Sequence, residues 1–460
     1  MIALTLDQVA AGVGGRVVGD GSVLVSGSVV TDARLAGPGA LYVARRGEHA
    51  DGHDFVTQAA EHGAVAALTD HEVAGLPCVV VPDVQAAFAA LATDVLARLP
   101  GLRVVAVTGS SGKTSTKDLL AQVLATHGPT VASQESFNGE VGVPLTALRV
   151  QDDTRYLVLE MGARGAGHLT YLTQIAAPDV SVVLNVGTAH VGEFGSVEAI
   201  AAAKAELVTD LPPTALAVLN ADDHRVAVMA GRTRARVVTV GRSTTADVRA
   251  DDVLLDERGR ASFTLVTPAG SAPVTLRLHG EHHVANALAV AAVACELGMR
   301  VEDVAAALST AGPVSRWRME VTDRPDGVTV VNDAYNANPD SVRAALKALV
   351  GMAREGRSWA VLGEMLELGD LSVSEHDGIG RLVVRLGVDR LVVVGQGAAA
   401  MHTGAVMEGS WGEESVLVPD VEAAYALLSA QLRPGDVVLL KSSRDAGLRH
   451  LGDRLAGIGA

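Results

Sequence analysis

The sequence is poor in the residues that mark disulfide-rich and membrane-embedded proteins. Its 460 residues include two cysteines, Cys78 and Cys295, outside any CxxC pattern. This spacing excludes a thiolate metal site and indicates a reducing compartment. No apolar run reaches the roughly 18–20 residues that a membrane span needs, and the first residues lack a basic segment, so we expect neither membrane insertion nor a signal peptide. Aromatic residues make up only 3% of the chain, which predicts largely aliphatic cores.

Basic residues are also in deficit. The chain has 37 Lys+Arg against 53 Asp+Glu and a formal net charge of −16. This balance argues against broad nucleic-acid binding and restricts anionic ligands to locally basic pockets. A hydrophobic fraction of 48% with 20% charged residues is typical of a globular chain and excludes disorder.

Turn signals at Pro100-Gly101 and Ala311-Gly312-Pro313 divide the chain into three predicted α/β domains, residues 1–99, 100–313 and 314–460. In the second, apolar runs alternate with helical stretches, which predicts βαβ units and a doubly wound, P-loop-type parallel sheet. A region in which apolar residues lie two positions apart predicts a small antiparallel appendage, and a predicted helix follows it. A third, Rossmann-like domain has its own sheet. The predicted strands are 104–107, 156–161, 180–186 and 215–220 in the second domain and 328–331, 359–362, 391–394 and 437–440 in the third. The appendage is 247–278, and the helix is 284–297.

The strongest local signal is a glycine-bearing turn between a predicted strand and a predicted helix, Thr108-Gly109-Ser110-Ser111-Gly112-Lys113-Thr114-Ser115. Such a loop directs backbone N–H groups at phosphate oxygens, and the helix dipole favours the same negative charge. Lys113 would reach the β- and γ-phosphates, and the Thr114 hydroxyl would ligate Mg²⁺. The general phosphate-loop pattern has glycine where this chain has Val107, so the match is a shortened variant. The strand before and the helix after disfavour the alternative, a turn that binds nothing.

Three residues beyond that loop have side chains that could act in the site. Glu160 ends a predicted strand, and ligands bind at the carboxyl ends of such strands, so we expect its carboxylate to hold Mg²⁺. His190 also follows a strand, but its position alone leaves a structural role equally open. Lys204 lies in an Ala-rich stretch, where a solvated helix face is the better interpretation of the residues alone. The tract 279–283 contains adjacent histidines that cannot easily face one ion, so we reject a zinc site there.

With these motifs in order, the chain resembles the Mur ligase family across nearly its whole length. The phosphate loop has the family's shortened form. Residues 332–341, Asn-Asp-Ala-Tyr-Asn-Ala-Asn-Pro-Asp-Ser, are similar to the segment of the members that add D-alanyl-D-alanine. Residues 31–34 and 47–55 resemble the segment that holds a UDP-sugar. Ala33, Ser442 and Asn332 depart from the family pattern, but none of them replaces a group that we assign to chemistry.

The resemblance implies an ATP-dependent amide ligase of peptidoglycan precursor synthesis, monomeric and cytoplasmic. ATP would phosphorylate the terminal carboxylate of UDP-N-acetylmuramoyl-tripeptide. The amine of D-alanyl-D-alanine would then attack the acyl phosphate, giving the pentapeptide, ADP and phosphate. Residues 1–99 would bind the UDP-sugar, 100–313 the ATP, and 314–460 the incoming dipeptide.

The resemblance also implies roles for individual residues. The implied catalytic residues are Lys113, Lys204, His190 and Asp333. The implied ATP contacts are Gly109, Ser110, Ser111, Gly112, Lys113, Thr114, Ser115, Asn220, His283, Asn286, Arg318 and Asp333. The implied substrate contacts are Thr31, Asp32, Arg34, Asn138, Tyr335, Asn336, Asn338, Lys441 and Arg444. Two Mg²⁺ ions would be held by Thr114, Glu160, His190 and a carbamylated Lys204.

Two alternatives stay open at this point. The first is a related amide ligase of the same fold that adds another amino acid. The second is a nucleotide-binding partner protein that has lost catalysis. The third residue of the tripeptide leaves no motif in the sequence, and neither does the open or closed resting conformation.

Overall fold

A computed structural model describes residues 1–47, 50–188, 191–353, 356–409 and 414–458 and places their strands in four sheets. Three of the sheets follow one another along the chain and the fourth is a two-stranded ribbon near the amino terminus. The buried cores are mostly Val, Leu and Ala, as the low aromatic content predicts. Among the described residues, no helix combines the length and the apolar character that crossing a membrane requires.

The amino-terminal segment has a five-stranded sheet in the order β2-β7-β6-β5-β4, beside the antiparallel pair β1-β3. Asp83 caps the long helix α3 by accepting a hydrogen bond from the Ala86 N–H. Phe88 and Leu91 of α3 are fully buried in a core that also contains Leu169 and Leu172 of the next segment. The elements are β1 (Leu4–Thr5), α1 (Leu6–Val13), β2 (Arg16–Val18), β3 (Leu24–Val25), β4 (Val29–Val30), β5 (Ala40–Val43), α2 (Val56–Glu61), β6 (Ala64–Thr69), β7 (Cys78–Val80) and α3 (Val84–Ala97).

The central segment forms a nine-stranded sheet in the order β16-β15-β14-β13-β12-β11-β8-β10-β9. Its strands are β8 (Arg103–Thr108), β9 (Thr130–Ala132), β10 (Tyr156–Glu160), β11 (Val180–Val183), β12 (Leu216–Asn220), β13 (Arg236–Gly241), β14 (Val248–Leu255), β15 (Arg260–Thr267) and β16 (Gly270–His279). Its helices are α4 (Lys113–Ala125), α5 (Gly142–Ala147), α6 (His168–Ile175), α7 (Val191–Phe194), α8 (Val197–Thr209), α9 (His224–Ala227), α10 (His283–Glu296) and α11 (Val301–Thr310).

The predicted antiparallel appendage is part of this same sheet. β14 pairs in parallel with β13 and antiparallel with β15, so the strands β14 to β16 extend the parallel sheet at one edge. The four apolar runs predicted as strands correspond to β8, β10, β11 and β12, although β11 ends at Val183, three residues earlier than expected. β9 and β13 were not predicted.

The order of these strands creates the crevice. β8 lies between β10 on one side and β11 on the other, with Glu160 opposite Val107 and Val183 opposite Thr108. The chain therefore changes direction across the sheet after β10, and ligands of such sheets bind where the strand order reverses. The segments that follow β8, β10 and β11 meet at that point.

The carboxy-terminal segment has a six-stranded sheet in the order β17-β18-β22-β19-β20-β21, parallel except for β17. Four of its strands were predicted, and β17 and β21 were not. The elements are β17 (Glu320–Asp323), β18 (Thr329–Asn332), α12 (Pro339–Met352), β19 (Ser358–Leu362), α13 (Ser372–Arg385), β20 (Arg390–Val394), α14 (Ala399–Glu408), β21 (Ser415–Val418), α15 (Val421–Gln431), β22 (Val437–Lys441) and α16 (Leu448–Ala456).

The link between the last two segments is anchored on α4, the helix that begins at the phosphate loop. The Gln122 side chain donates to the Gly312 carbonyl (2.9 Å) and accepts from the Gly312 N–H (3.0 Å). Asp118 accepts from the Ser315 N–H at 3.2 Å. The linker then passes through Trp317 and Met319, whose φ angles of 58° and 50° lie in the left-handed region. Left-handed backbone is strained for such side chains, and here it flanks Arg318 on both sides.

Candidate active site

A cavity of about 390 Å³ lies between the central and carboxy-terminal sheets. It is lined by the phosphate loop, the ends of β10 and β11, the start of α10, and the segment between β18 and α12. The structure brings together here most of the residues that the sequence singled out. They are Ser110, Ser111, Gly112, Lys113, Thr114, Ser115, Asn138, Glu160, Lys204, Asn220, His283, Asn286, Arg318, Asp333, Tyr335, Asn336, Asn338 and Lys441.

The phosphate loop is constrained by close contacts from two sides. Gly112 has a φ of 81°, and a Cβ at this position would lie 2.7 Å from Asn286 Oδ1, so only glycine fits. On the other side, the Ser111 N–H donates to Asn185 Oδ1 at 2.9 Å. Lys113 Nζ donates to the Gly109 carbonyl of the loop itself (2.8 Å). Burial lowers the pKa of Lys113, and the nearby Glu160 carboxylate opposes that shift.

Glu160 and Thr114 form a buried pair of oxygen donors beside the loop. Glu160 is 1% exposed. Its Oε2 accepts from the Thr114 hydroxyl (2.8 Å), and its Oε1 accepts from Asn138 Nδ2 (2.8 Å). Glu160 ends β10 and Thr114 lies in the first turn of α4. Carboxylate and hydroxyl oxygens are the ligands that Mg²⁺ prefers, so this donor set fits that ion.

Lys204 is not on a solvated helix face, and that interpretation of the residues alone was wrong. Its side chain is 4% exposed and lines the cavity, because α8 places this position against the sheet. It makes no hydrogen bond or ion pair with any of the described residues. Burial, together with the charge of Lys113, lowers the pKa of Lys204 to about 7. His190, the other candidate on this side, lies outside the described residues.

The carboxy-terminal segment contributes cations and a carboxylate. Arg318 Nη2 donates to Ser136 Oγ (3.3 Å) and Thr114 Oγ1 (3.4 Å), and the guanidinium lies 4.3 Å above the Tyr335 ring. Lys441 Nζ donates to Asp333 Oδ2 at 2.6 Å. The other oxygen of Asp333 accepts from the Met319 N–H (3.0 Å), next to Arg318 in the chain. Asp333 thus connects the buried Lys441 to the backbone that positions Arg318.

The two sheets meet in a closed arrangement. Asn338 Nδ2 donates to the Ser110 carbonyl at 3.4 Å, and the Thr188 N–H donates to Asp340 Oδ2 at 3.1 Å. The Gly192 N–H donates to the Glu367 carbonyl at 3.1 Å. These bonds join the loops after β8 and β11 to the start of α12 and to the segment after β19. The cavity is therefore complete in this conformation.

Polar side chains from two further elements line the cavity next to the phosphate loop. Asn220 Nδ2 donates to the Leu184 carbonyl (2.8 Å), and Asn286 Nδ2 lies 3.3 Å from His283 Nδ1. The rings of His282 and His283 are 4.2 Å apart. Burial lowers the pKa of both histidines, so both rings are neutral at pH 7.

Other predicted residues lie outside the cavity. Thr31, Asp32 and Arg34 belong to the amino-terminal segment, where Arg34 Nη2 pairs with Asp32 Oδ2 at 2.7 Å. The Arg444 guanidinium lies 5.6 Å from the Tyr335 ring centre, and the Gly109 carbonyl accepts from Lys113 Nζ within the loop.

The sequence reasoning missed four residues of the cavity region, namely Ser136, Arg164, His282 and Asp340. Asp340 falls inside the singled-out segment 332–341, and its position there could have identified it. His282 falls in the tract 279–283, which the sequence analysis considered only as a zinc site, and Ser136 and Arg164 have no local signal.

Three family models match the chain: the Mur ligase family catalytic domain over residues 27–109, the Mur ligase middle domain over 107–294, and the Mur ligase glutamate ligase domain over 317–444. The chain is 51% identical to the UDP-N-acetylmuramoyl-tripeptide–D-alanyl-D-alanine ligase of Mycobacterium tuberculosis (strain ATCC 25618 / H37Rv), over 99% of this chain and 98% of that one. It is similar to a crystal structure of MurF from Acinetobacter baumannii, with a TM-score of 0.90 at 31% identity over 99% of each chain. A MurF ligase from Thermotoga maritima in complex with ADP gives a TM-score of 0.82 at 28% identity, over 94% of this chain and 98% of that one.

Proposed function

The chain belongs to the Mur ligase family, and we propose that it joins D-alanyl-D-alanine to UDP-N-acetylmuramoyl-tripeptide while converting ATP to ADP and phosphate. The observation that carries this function is 51% identity over 99% of the chain to a ligase with this activity. The cavity supports it, because it places a phosphate loop opposite the segment 333–341. The related ligase crystallised with ADP supports the use of ATP.

The chemistry needs activation because a carboxylate and an amine in water form a salt rather than an amide. A carboxylate oxygen of the tripeptide attacks the γ-phosphorus of ATP, and ADP leaves. The amine of the dipeptide then attacks the carbonyl carbon of the acyl phosphate, loses a proton, and expels inorganic phosphate. Lys113 and Arg318 both line the cavity, and they supply positive charge where the two anionic substrates meet.

We propose Mg²⁺ as the metal, held by Thr114 and Glu160, because their buried oxygens match its preference. The bound ion supplies positive charge that offsets the repulsion between triphosphate and carboxylate. His190 and Lys204 are our proposed further ligands, for a total of two ions. Lys204 would take this role as a carbamate, formed when its neutral amine adds CO₂ and releases a proton. A pKa of about 7 supports this, because about half of the amine is then neutral at pH 7.

We propose a division of labour among the three segments, with boundaries near residues 100 and 313. Residues 1–99 bind the UDP-sugar through Thr31, Asp32 and Arg34, and residues 100–313 bind ATP. Residues 314–460 bind the dipeptide, and here Asn336 is a better candidate than Asn338. The Asn338 amide is already engaged with Ser341 and Ser110, whereas Asn336 Nδ2 donates no hydrogen bond within the described part of the chain.

Closure of the carboxy-terminal segment excludes water, which would otherwise hydrolyse the acyl phosphate. Because a single chain completes the cavity, we propose that the enzyme acts as a monomer. We also propose a cytoplasmic location, because the proposed substrates are ATP and a UDP-linked precursor.

Phosphate release with ATP and UDP-N-acetylmuramoyl-tripeptide, with and without D-alanyl-D-alanine, tests the proposed function. We expect steady turnover only when both co-substrates are present. Turnover with a single amino acid in place of the dipeptide would instead identify a related amide ligase of this fold. Binding of ATP without release for any substrate pair would identify a protein without catalytic activity.

A further inference from the structure

Helix α16 of the carboxy-terminal segment carries a carboxylate that the reaction above does not use. Asp453 lies on this helix, and its side chain is 16% exposed. Its Oδ1 accepts from the Trp317 indole Nε1 at 2.9 Å and from Arg316 Nη2 at 2.8 Å. The same oxygen accepts from Nδ2 of Asn332, the last residue of β18, at 3.3 Å. One carboxylate therefore receives hydrogen bonds from the linker and from the end of β18.

Trp317 is held in its left-handed conformation by contacts to each of its polar groups. Its backbone N–H donates to Glu320 Oε2 at 2.9 Å, and its carbonyl accepts from the Tyr335 N–H at 3.3 Å. The indole N–H donates to both oxygens of Asp453, at 2.9 and 3.1 Å. A bulky residue keeps such a backbone only where its surroundings hold it in place. Asp453 holds the side chain, and Arg318 is the next residue in the chain.

An aromatic pair connects the same indole with the Arg318 side chain. The Trp317 and Tyr335 ring centres are 6.4 Å apart, with 22° between their planes. The Arg318 guanidinium lies 4.3 Å from the Tyr335 ring centre. Aromatic rings at this spacing attract each other, and a cation is attracted to an aromatic face. The orientation of Arg318 therefore depends on the indole through the backbone and through the side chains.

Helix α16 also packs closely against the end of β18. A Cβ built at Gly452 would lie 2.2 Å from Asn332 Nδ2, so a larger residue would have to displace the asparagine. Asn332 is buried, and its Nδ2 donates to a backbone carbonyl of α16 at 2.9 Å. The next residue, Asp333, accepts from the Met319 N–H on the other side of Arg318. The helix therefore contacts the groups that support the backbone on both sides of Arg318.

We propose that Asp453 is a positioning residue for Arg318, an inference that rests on the proposed function. Asp453 fixes the Trp317 indole, and the guanidinium of the next residue then faces the phosphate loop. There Arg318 Nη2 donates to Ser136 Oγ (3.3 Å) and Thr114 Oγ1 (3.4 Å). A guanidinium that is already oriented needs no reorganisation when charge develops on the transferred phosphoryl group. Loss of Asp453 therefore slows phosphoryl transfer and leaves binding of the UDP-linked substrate unchanged.

Steady-state kinetics of the full-length chain test this role, with dipeptide-dependent phosphate release as the measurement. Asp453→Ala should lower kcat by about 10- to 100-fold, because misplacement of a reacting group by about 1 Å has an effect of that size. The KM for UDP-N-acetylmuramoyl-tripeptide should stay within about 2-fold of the wild type, since residues 1–99 are proposed to hold the UDP-sugar. Trp317→Phe keeps a ring but lacks the N–H, and it should lower kcat by about 3- to 10-fold.

A variant of Arg318 itself separates positioning from general support of the fold. Arg318→Lys keeps a cation but lacks the planar guanidinium that the indole and Tyr335 orient, so it should turn over more slowly than the wild type. In that background Asp453→Ala should lower kcat by less than about 3-fold, because the effects of two residues that act through one contact do not add. The full loss in both backgrounds would indicate a merely structural role and would overturn the inference.

The matched control is Glu422→Gln. It removes the partner of Arg454, which is next to Asp453 on α16, and both members of that ion pair are exposed. It should leave kcat and KM as in the wild type. An unchanged kcat in Asp453→Ala, or a loss confined to the KM for D-alanyl-D-alanine, would overturn the positioning role. If circular dichroism shows that Asp453→Ala does not fold, Trp317→Phe in the Arg318→Lys background makes the same comparison. Failure of the proposed function looks different, since the wild type would then release no phosphate in response to the dipeptide.

Discussion

A methyl group at Gly192 should prevent closure while leaving the central segment folded. A Cβ built there lies 2.6 Å from Gly369 N, 2.9 Å from the Glu367 carbonyl oxygen and 3.0 Å from Gly369 Cα. All three are backbone atoms of the carboxy-terminal segment, so no side-chain rotation can relieve the contact. Ordinary contacts begin at 3.4 Å, so in Gly192→Ala this surface must move away by about 0.8 Å.

A displacement of this size reaches the reacting groups. Asp340 lies in the first turn of α12 and Asn338 caps that helix, and in the closed form they contact the loops after β11 and β8. Because misplacement by about 1 Å can lower rates about 10²-fold, we expect a loss of that order in kcat/KM for Gly192→Ala. Gly192 is helical with no left-handed φ, so alanine should leave the melting temperature within about 2 °C of wild type.

The measurements are phosphate release, nucleotide affinity by calorimetry and thermal unfolding. ATP affinity should change little, because the phosphate loop belongs to the central sheet. Gly231→Ala is the matched control, since a Cβ at Gly231 meets nothing within 4 Å. If Gly192→Ala had the same kcat/KM as this control, the reactive conformation would not include the Gly192–Gly369 contact and our reasoning would be wrong.

Three further predictions concern the two lysines of the cavity. Lys113→Ala should reduce phosphate release at least about 10³-fold without unfolding the chain, because it removes the cation that the loop presents to the transferred phosphoryl group; activity and circular dichroism test this. Lys204→Ala should be rescued in part by acetate, which replaces the carboxylate of the proposed carbamate. In carbonate-free buffer, Lys204→Met should raise the melting temperature most near pH 7 and progressively less towards pH 10. The reason is that the unfolded chain protonates this lysine below its ordinary pKa of 10.5, whereas the folded chain does so only below about 7.

Each of these has a result that would contradict it. Phosphate release near the wild-type rate in Lys113→Ala would remove that lysine from the mechanism. Rescue of Lys204→Ala by chloride to the same extent as by acetate would indicate an ionic-strength effect. A gain in melting temperature from Lys204→Met that does not change between pH 7 and pH 10 would mean that Lys204 has an ordinary pKa.

Local patterns in the sequence predicted the parts of the molecule that depend on neighbours in the chain. The phosphate loop and Glu160 follow buried apolar strands, and the strand–turn–helix pattern is visible without knowledge of the fold. β13 was missed because no helix follows its sequence, Arg-Val-Val-Thr-Val-Gly. The alternation of apolar and polar residues in β15 and β16 suggested a separate unit. Only the pairing of β14 with strands on both sides shows that one sheet continues.

Contacts between distant parts of the chain could not be predicted. Lys204 is one of several polar residues in the Ala-rich helix α8, and only its burial against the sheet distinguishes it from a surface lysine. Trp317 and Asp453 are 136 positions apart and meet only in the fold. The left-handed backbone on both sides of Arg318 involves Trp317 and Met319, residue types that give no hint of that conformation.

The groups that line the cavity all come from one end of the strands in the central sheet. The phosphate loop, Glu160 and the segment after β11 all emerge from the carboxyl ends of β8, β10 and β11, because β8 lies between the other two. The turns that enter these strands lie on the far side, away from the cavity. The order of the strands, and not the length of the loops, therefore determines where the crevice forms. Insertions before β8, β10 or β11 can change the outline of the molecule without reshaping the place where the amide bond is made.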